Sequence, residues 1–310
     1  MTQEDLDRTF MRRCFALASH GLGRTRPNPL VGCVMVDDNG RIVSEGYHQQ
    51  YGHNHAERNA LLREGSYRDA TLYVNLEPCS HHGLTPPCAD LIVEKGISRV
   101  VCCNDDPNPL VAGRGFSKIE AAGIKVIRHV LNEEGRELNR RFFTFMEQQR
   151  PYVILKWAES ADGFMAPSSP NNYWLSSPDQ NRLNHRWRTE EAAILVGSNT
   201  FLSDHPALTA RHYLGTNPQP VVLDRRERLH DVPAHWLHLH TTTISETLQA
   251  LYNHKLQSVI VEGGRQTLDA FIASGIYDEV RILRSPQYLG TGLPAPTIPP
   301  IAPHRLTIID

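Results

Sequence analysis

Leu6, Phe10, Cys14, Leu17 and Ala18 recur at the spacing of one helix face. Thr2 stands where an N-cap belongs and Gly21 where the helix must stop. Val31 to Val36 is an apolar, β-branched run, Asp37-Asp38-Asn39-Gly40 supplies turn residues, and Arg41 to Tyr47 returns; together they predict a hairpin. The pattern then predicts a helix from His55 to Arg63, a strand from Thr71 to Leu76, and a helix from Cys88 to Lys95 closed by Gly96. A strand at Arg99 to Cys103, a helix at Ser117 to Ala122, a strand at Lys125 to His129 and a charged helix from Asn132 to Gln149 follow. Pro151 cannot continue a helix, so the boundary is set at Arg150-Pro151, giving domains 1–150 and 151–310. In the second half Tyr152 to Lys156, Ala192 to Val196, Pro220 to Leu223 and Ser258 to Val261 read as buried strands with helical stretches between them. Strands alternating with helices make both halves α/β, each a sheet covered by helices.

The 310-residue length agrees with two domains. A hydrophobic fraction of 40% beside 21% charged residues is that of a globular protein, and no run of apolar residues is long enough to span a membrane. The acidic start, Met1-Thr2-Gln3-Glu4-Asp5, lacks the features of a secretory signal, so a cytoplasmic, reducing location is expected. There the six cysteines serve as metal ligands or core residues rather than in disulfides, and Cys102-Cys103, in an apolar run, belongs to the core. A formal net charge of −2 argues against a polynucleotide substrate, whose phosphates call for a basic face.

The chemistry concentrates in His55-Ala56-Glu57, Pro78-Cys79 and Pro87-Cys88. A catalytic zinc wants three protein ligands and one open position for water, and one imidazole with two thiolates supplies that set. Glu57, two residues past the first ligand, is placed to relay protons without ligating. Cys88 opens a helix, whose positive end favours a thiolate. The set matches the zinc-deaminase signature H-x-E then P-C-x-x-C, with a wider interval between the cysteines. A closed structural site would need a fourth ligand, and His53, His81 and His82 are near enough in sequence to be weighed; an acid so close to the ligand favours the open site. Gly113-Arg114-Gly115 offers either a phosphate cradle or a plain turn.

These residues, with Pro27-Asn28-Pro29-Leu30-Val31-Gly32, Gly46-Tyr47-His48, Glu77 through Gly83, Thr85-Pro86-Pro87 and Asp106-Pro107-Asn108-Pro109, resemble the bifunctional riboflavin biosynthesis deaminase–reductase family. The long insert between the cysteines is typical of it. The resemblance implies a cytidine-deaminase-like three-layer α/β/α domain, with His55, Cys79 and Cys88 on Zn2+, Glu57 as proton shuttle, and Asn28 and His48 lining a pyrimidine pocket. Leu84 departs from the family, in which a basic residue often stands there. In the second half, Lys156 with Ser160-Ala161-Asp162-Gly163, Trp174, Gly197, Thr200, Asp204, Leu208, Arg211 and Glu262-Gly263-Gly264 resemble the reductase half, an α/β fold similar to dihydrofolate reductase. There the resemblance implies Ala158, Trp174, Thr200, Asp204 and the segment Gly264 to Ala270 for NADPH, and Asn172, Arg188, Leu208, Arg211 and Glu262 for substrate. Guanidinium groups at 188 and 211 suit a phosphorylated sugar. Lys156 and Asp204 are candidate acids, and Arg225-Arg226 are candidates for the cofactor's 2′-phosphate.

The expected reactions are hydrolytic deamination of 2,5-diamino-6-(5-phosphoribosylamino)pyrimidin-4-one, then NADPH-dependent reduction of the ribosyl group to ribityl. The partner is a small phosphorylated pyrimidine, with no nucleic acid and no membrane, and a homo-oligomer is expected. The chain stops at Asp310, one strand short of a full reductase domain, which keeps open a monofunctional zinc deaminase whose second half only binds or dimerises.

Overall fold

A computed structural model describes residues 2–310 apart from 64, 66, 84, 109–110, 169–173 and 300–304. The chain divides into two compact units, Met1–Gln148 and Gln149–Asp310.

The first unit runs α1 (Gln3–Ser19), β1 (Gly32–Val36), β2 (Ile42–Tyr47), α2 (Ala56–Leu61), β3 (Thr71–Leu76), α3 (Cys88–Glu94), β4 (Arg99–Asn104), α4 (Arg114–Ala121), β5 (Lys125–Ile127), α5 (Asn132–Leu138) and α6 (Arg140–Gln148). Thr2 caps α1 through a capping box with Asp5. The five strands form one sheet in the order β2-β1-β3-β4-β5. The β1–β2 hairpin is antiparallel, as its turn residues predict, and β3, β4 and β5 are parallel. All five residues of β1 are buried, because helices cover both faces: Cys33 and Met35 pack with Ala56, Ala60 and Ile92, while Val34 and Val36 pack with Met11, Cys14 and Leu17. Cys102 and Cys103 lie in the core.

Two expectations change here. The single helix predicted from Asn132 to Gln149 is two helices, broken at Asn139. That side chain is buried and binds the Leu30 backbone twice, from Leu30 N–H to Oδ1 at 2.8 Å and from Nδ2 to Leu30 O at 2.9 Å. The pairing holds the chain leading into β1, and spacing along 132–149 carries no trace of it. Helix α4 also begins three residues before the expected Ser117, for a reason given with the site below.

The second unit runs β6 (Tyr152–Glu159), β7 (Phe164–Pro167), α7 (Pro178–Glu190), β8 (Ala193–Gly197), α8 (Ser198–Asp204), β9 (Gln219–Leu223), β10 (Leu237–Leu239), α9 (Ile244–Asn253), β11 (Ser258–Val261), α10 (Arg265–Ser274), β12 (Glu279–Arg284), β13 (Gly292–Pro294) and β14 (Arg305–Ile309). Seven strands form a parallel sheet in the order β10-β9-β8-β11-β6-β12-β14, and β13 pairs separately with β7. The four expected strands are β6, β8, β9 and β11, the middle of that sheet. Arg305–Ile309 add β14 at one edge, a strand that the sequence pattern does not predict.

Candidate functional site

The start of α2, the loop after β3 and the start of α3 converge in the first unit. His55 is the residue just before α2, Cys79 follows β3, and Cys88 opens α3. The Cys79 Sγ lies 3.5 Å and the Cys88 Sγ 3.6 Å from His55 Nδ1. Around a tetrahedral zinc with bonds of about 2.3 Å to sulfur and about 2.1 Å to nitrogen, S and N ligands stand about 3.6 Å apart, so this donor set fits the ion. The Cys88 N–H donates to Cys79 Sγ at 3.4 Å, and hydrogen bonds from the Cys88 thiol and His55 hold the Cys79 thiol well below its usual range. Among the described residues no fourth His, Cys, Asp or Glu joins the three. His53, His81 and His82, weighed as a closing ligand, are exposed.

Glu57 is 4% exposed, on the first turn of α2, and its carboxyl meets the Cys88 sulfur. Burial raises that carboxyl to about 7 against the pull of the His55 ring. It faces the cluster of His55, Cys79 and Cys88. Asn28 and His48 meet beside it: the Asn28 amide is 3.1 Å from His48 Nε2, and the His48 ring is edge-on to that of His55, centroids 5.4 Å apart. His48 Nδ1 is 3.0 Å from the Asn54 carbonyl oxygen, which can only accept. That fixes the ring proton on Nδ1 and leaves Nε2 to accept from Asn28. Burial lowers the His48 pKa, keeping the ring neutral. Asn54 was not singled out from the sequence; as a residue just before the ligand His55, its proximity is the only hint available.

The Gly113-Arg114-Gly115 turn directs its amides at a carboxylate of the protein itself. Its Gly113 and Gly115 N–H groups donate to the two oxygens of Glu77, each at 3.0 Å, and Asp106 N–H adds a third bond at 3.3 Å. An internal carboxylate fills the cradle, and these amides start α4 early. A Cβ on Gly115 would strike the Pro78 carbonyl, so the turn is pressed against the residue that precedes Cys79.

In the second unit Lys156 from the middle of β6, Arg188 from α7 and Glu262 after β11 come together. Glu262, just past β11, pairs with Arg188 of α7 at 2.7 Å and lies 3.6 Å from Lys156 of β6. Arg188 also donates to the Thr209 carbonyl at 3.0 Å, next to the buried Leu208. Burial by itself raises the Glu262 carboxyl, but the charges of Lys156 and Arg188 outweigh it and hold the group at about 2. Burial lowers Lys156, and Glu262 opposes that. Two cations against one anion leave this buried cluster with a net positive charge. Asn184, one turn before Arg188 on α7, also hydrogen-bonds Glu262. The sequence reading missed it, although the four-residue spacing from Arg188 was a usable signal.

Gly264 has φ 53, and a Cβ there would stand 2.8 Å from Thr200 Oγ1; one on Gly263 would strike the Val196 backbone. Glycine is required at both positions, and the turn from β11 into α10 therefore lies against the start of α8. Thr200 and Gly264 are thus neighbours. Ala158 is half-buried on β6, packed against the core cluster that contains Ile154, Trp187 and Leu283. Asp204 is exposed at the end of α8, accepting from Ser203 at 2.7 Å, and Trp174 is 70% exposed. Arg211 is exposed, next to His212, whose ring packs edge-on against buried His185 at 4.6 Å. Arg225 and Arg226 are exposed in the turn after β9. Asn172 and Leu84 lie outside the described residues.

Residues 4–104 match the cytidine and deoxycytidylate deaminase zinc-binding region, and residues 151–304 match the RibD C-terminal domain. The riboflavin biosynthesis protein RibD of Aquifex aeolicus (strain VF5) is 38% identical, over 93% of this chain and 89% of its own. That of Escherichia coli (strain K12) is 36% identical, over 92% and 89%. A diaminohydroxyphosphoribosylaminopyrimidine deaminase/5-amino-6-(5-phosphoribosylamino)uracil reductase from Thermotoga maritima superposes with a TM-score of 0.86 at 37% identity, over 94% of this chain and 90% of that one. Acinetobacter baumannii RibD, form 1, gives 0.88 at 33%, over 94% and 90%. The chain belongs to the bifunctional riboflavin biosynthesis deaminase–reductase family, a hydrolase and oxidoreductase with Zn2+ and NADPH as its cofactors.

Proposed function

We propose that unit Met1–Gln148 deaminates 2,5-diamino-6-(5-phosphoribosylamino)pyrimidin-4-one and that unit Gln149–Asp310 reduces the ribosyl group of the product. The observation that carries the reading is the triangle of His55, Cys79 and Cys88 with buried Glu57 turned toward it. These three residues would hold Zn2+, which when bound lowers the pKa of water toward neutrality and polarises what it touches. Glu57 carries a proton on its carboxylate from the attacking water to the departing 2-amino nitrogen. Neutral His48 holds the Asn28 amide in place, and the remaining hydrogen-bonding atoms of Asn28 orient the ring beside that carboxylate.

In the reductase, NADPH supplies the hydride, and the protein supplies position and charge. Thr200 and the Gly263-Gly264 turn let backbone approach the cofactor, at the N-terminus of α10 where free N–H groups face anions. The positive trio of Lys156, Arg188 and Glu262, with Arg211 nearby, receives the phosphorylated sugar. Of the two candidate acids, buried Lys156 with its lowered pKa is better placed than exposed Asp204 to give a proton to the opening ribose oxygen. Arg225 and Arg226 receive the 2′-phosphate.

The test is Glu57→Gln with two assays on one sample. Ammonia release falls by about 10²–10⁴-fold, the usual weight of a general acid–base group. Zinc content and NADPH oxidation on supplied aminouracil product stay at wild-type level. Undiminished ammonia release would overturn the assignment. We further propose a cytoplasmic homo-oligomer, to be checked by cell fractionation and sedimentation; among the described residues no helix is long and apolar enough to cross a membrane.

A further inference from the structure

We propose that the second unit carries a divalent transition-metal site of its own, formed by Asp224, His238 and His240 at the edge of the seven-stranded sheet. Strand β10 is that edge. It pairs in parallel with β9 through His238↔Val222 and Leu239↔Leu223, and the ladder continues as the Asp224 N–H donates to the Leu239 carbonyl at 2.8 Å. Side chains alternate along a strand, so His238 and His240 share one face. The register sets Asp224, which follows β9 directly, beside His240.

The three side chains converge there. His238 Nε2 is 3.5 Å from Asp224 Oδ2, His240 Nδ1 is 3.3 Å from the Asp224 carbonyl oxygen, and the two rings are 4.2 Å apart between centroids. One donor atom from each of the three lies within 4.8 Å of the others. Nitrogen and oxygen ligands about 2.1 Å from a tetrahedral ion stand about 3.4 Å from one another, so small side-chain rotations close the set.

Asp224 is an unusual residue to find as a mere turn-former. Its side chain has no exposed surface; Oδ2 accepts from the Leu229 N–H at 2.9 Å, and the Arg228 N–H, the Ser198 hydroxyl and the His238 ring also face the carboxylate. A fully buried carboxylate that meets two imidazoles supplies, with them, the three donors a cation needs. The simple alternative, a strand-end aspartate holding its own turn, accounts for the Leu229 bond but not for the two rings drawn over it.

Two imidazoles and one carboxylate are borderline donors, suited to Zn2+, Co2+ or Ni2+ and poor for the all-oxygen preferences of Mg2+ and Ca2+. His240 is exposed, leaving a further position open to water. The set shares no residue with His55, Cys79 and Cys88. An ion here ties a three-residue edge strand to the turn that carries Arg225 and Arg226.

Equilibrium dialysis of the metal-stripped full-length chain against Zn2+ tests this. Wild-type protein binds two equivalents, and His238→Asn and His240→Asn each bind one, with ammonia release unchanged. If His238→Asn costs the fold, His240→Asn decides alone, because its ring is at the surface. A single equivalent in wild-type protein, or a second equivalent that survives His240→Asn, overturns the proposal. Loss of the first equivalent on Cys79→Ser, with the second retained, separates this site from the deaminase site.

Discussion

Glu262 is ionised in a place where only its partners make that affordable. Lys156, Arg188 and Asn184 surround a side chain 10% exposed, and removing the negative partner leaves two buried cations facing each other. Breaking a buried pair in this way costs about 3–5 kcal/mol, so Glu262→Gln is expected to lower the urea midpoint of the second unit by that much stability at pH 7. Acid has the same target. The carboxyl is held at about 2 in the fold against an ordinary value near 4.3, so its contribution is complete above about pH 4.3 and is lost as pH falls through about 2. Urea melts at pH 7, 4 and 2.5 should therefore show wild type and Glu262→Gln converging as the pH falls. A constant gap would show that the charge does not stabilise the fold. At this scale the chain was partly legible: Glu262 and Arg188 were singled out by the family resemblance, yet their mutual pairing was not, because residues 188 and 262 meet only in the folded unit.

Among the elements, short helices and the turns between them place the deaminase chemistry. Helix α2 has six residues, α3 seven, and neither is long enough to be stable by itself. They hold His55, Glu57 and Cys88 in position because Ala56, Ala60, Ala89 and Ile92 are packed against the sheet. The Gly113–Gly115 turn braces the remaining ligand through Glu77 and Pro78. Gly115→Ala forces a methyl group into the Pro78 carbonyl and disturbs the Gly115 N–H bond to Glu77. Its expected effect is loss of bound zinc and of ammonia release, with NADPH oxidation on the aminouracil product retained; zinc analysis beside the two assays checks it. Periodicity located these helices well but misjudged α4 and the 132–149 stretch. A carboxylate bound by turn amides and an asparagine bound to Leu30 both act across long sequence separations, so no local window contains them.

For the whole molecule, two compact units with separate sheets and separate candidate sites predict that the activities can be lost one at a time. Dialysis against a chelator should abolish ammonia release, with Zn2+ restoring it, and Cys79→Ser should abolish ammonia release while NADPH oxidation with the aminouracil product is retained. Loss of both activities in Cys79→Ser would show that the two units depend on the one ion held with Cys79. The amino-acid sequence by itself determined the two-part α/β plan and marked out His55, Cys79, Cys88 and Glu57 as a candidate set, because hydrophobic alternation and motif spacing are local properties of a chain. Tertiary structure alone decided which charges neutralise one another, that the Gly113–Gly115 amides hold Glu77, and that Asp224 lies beside two histidines of a neighbouring strand. Those outcomes depend on strand order and register, which bring together residues that no spacing along the chain relates.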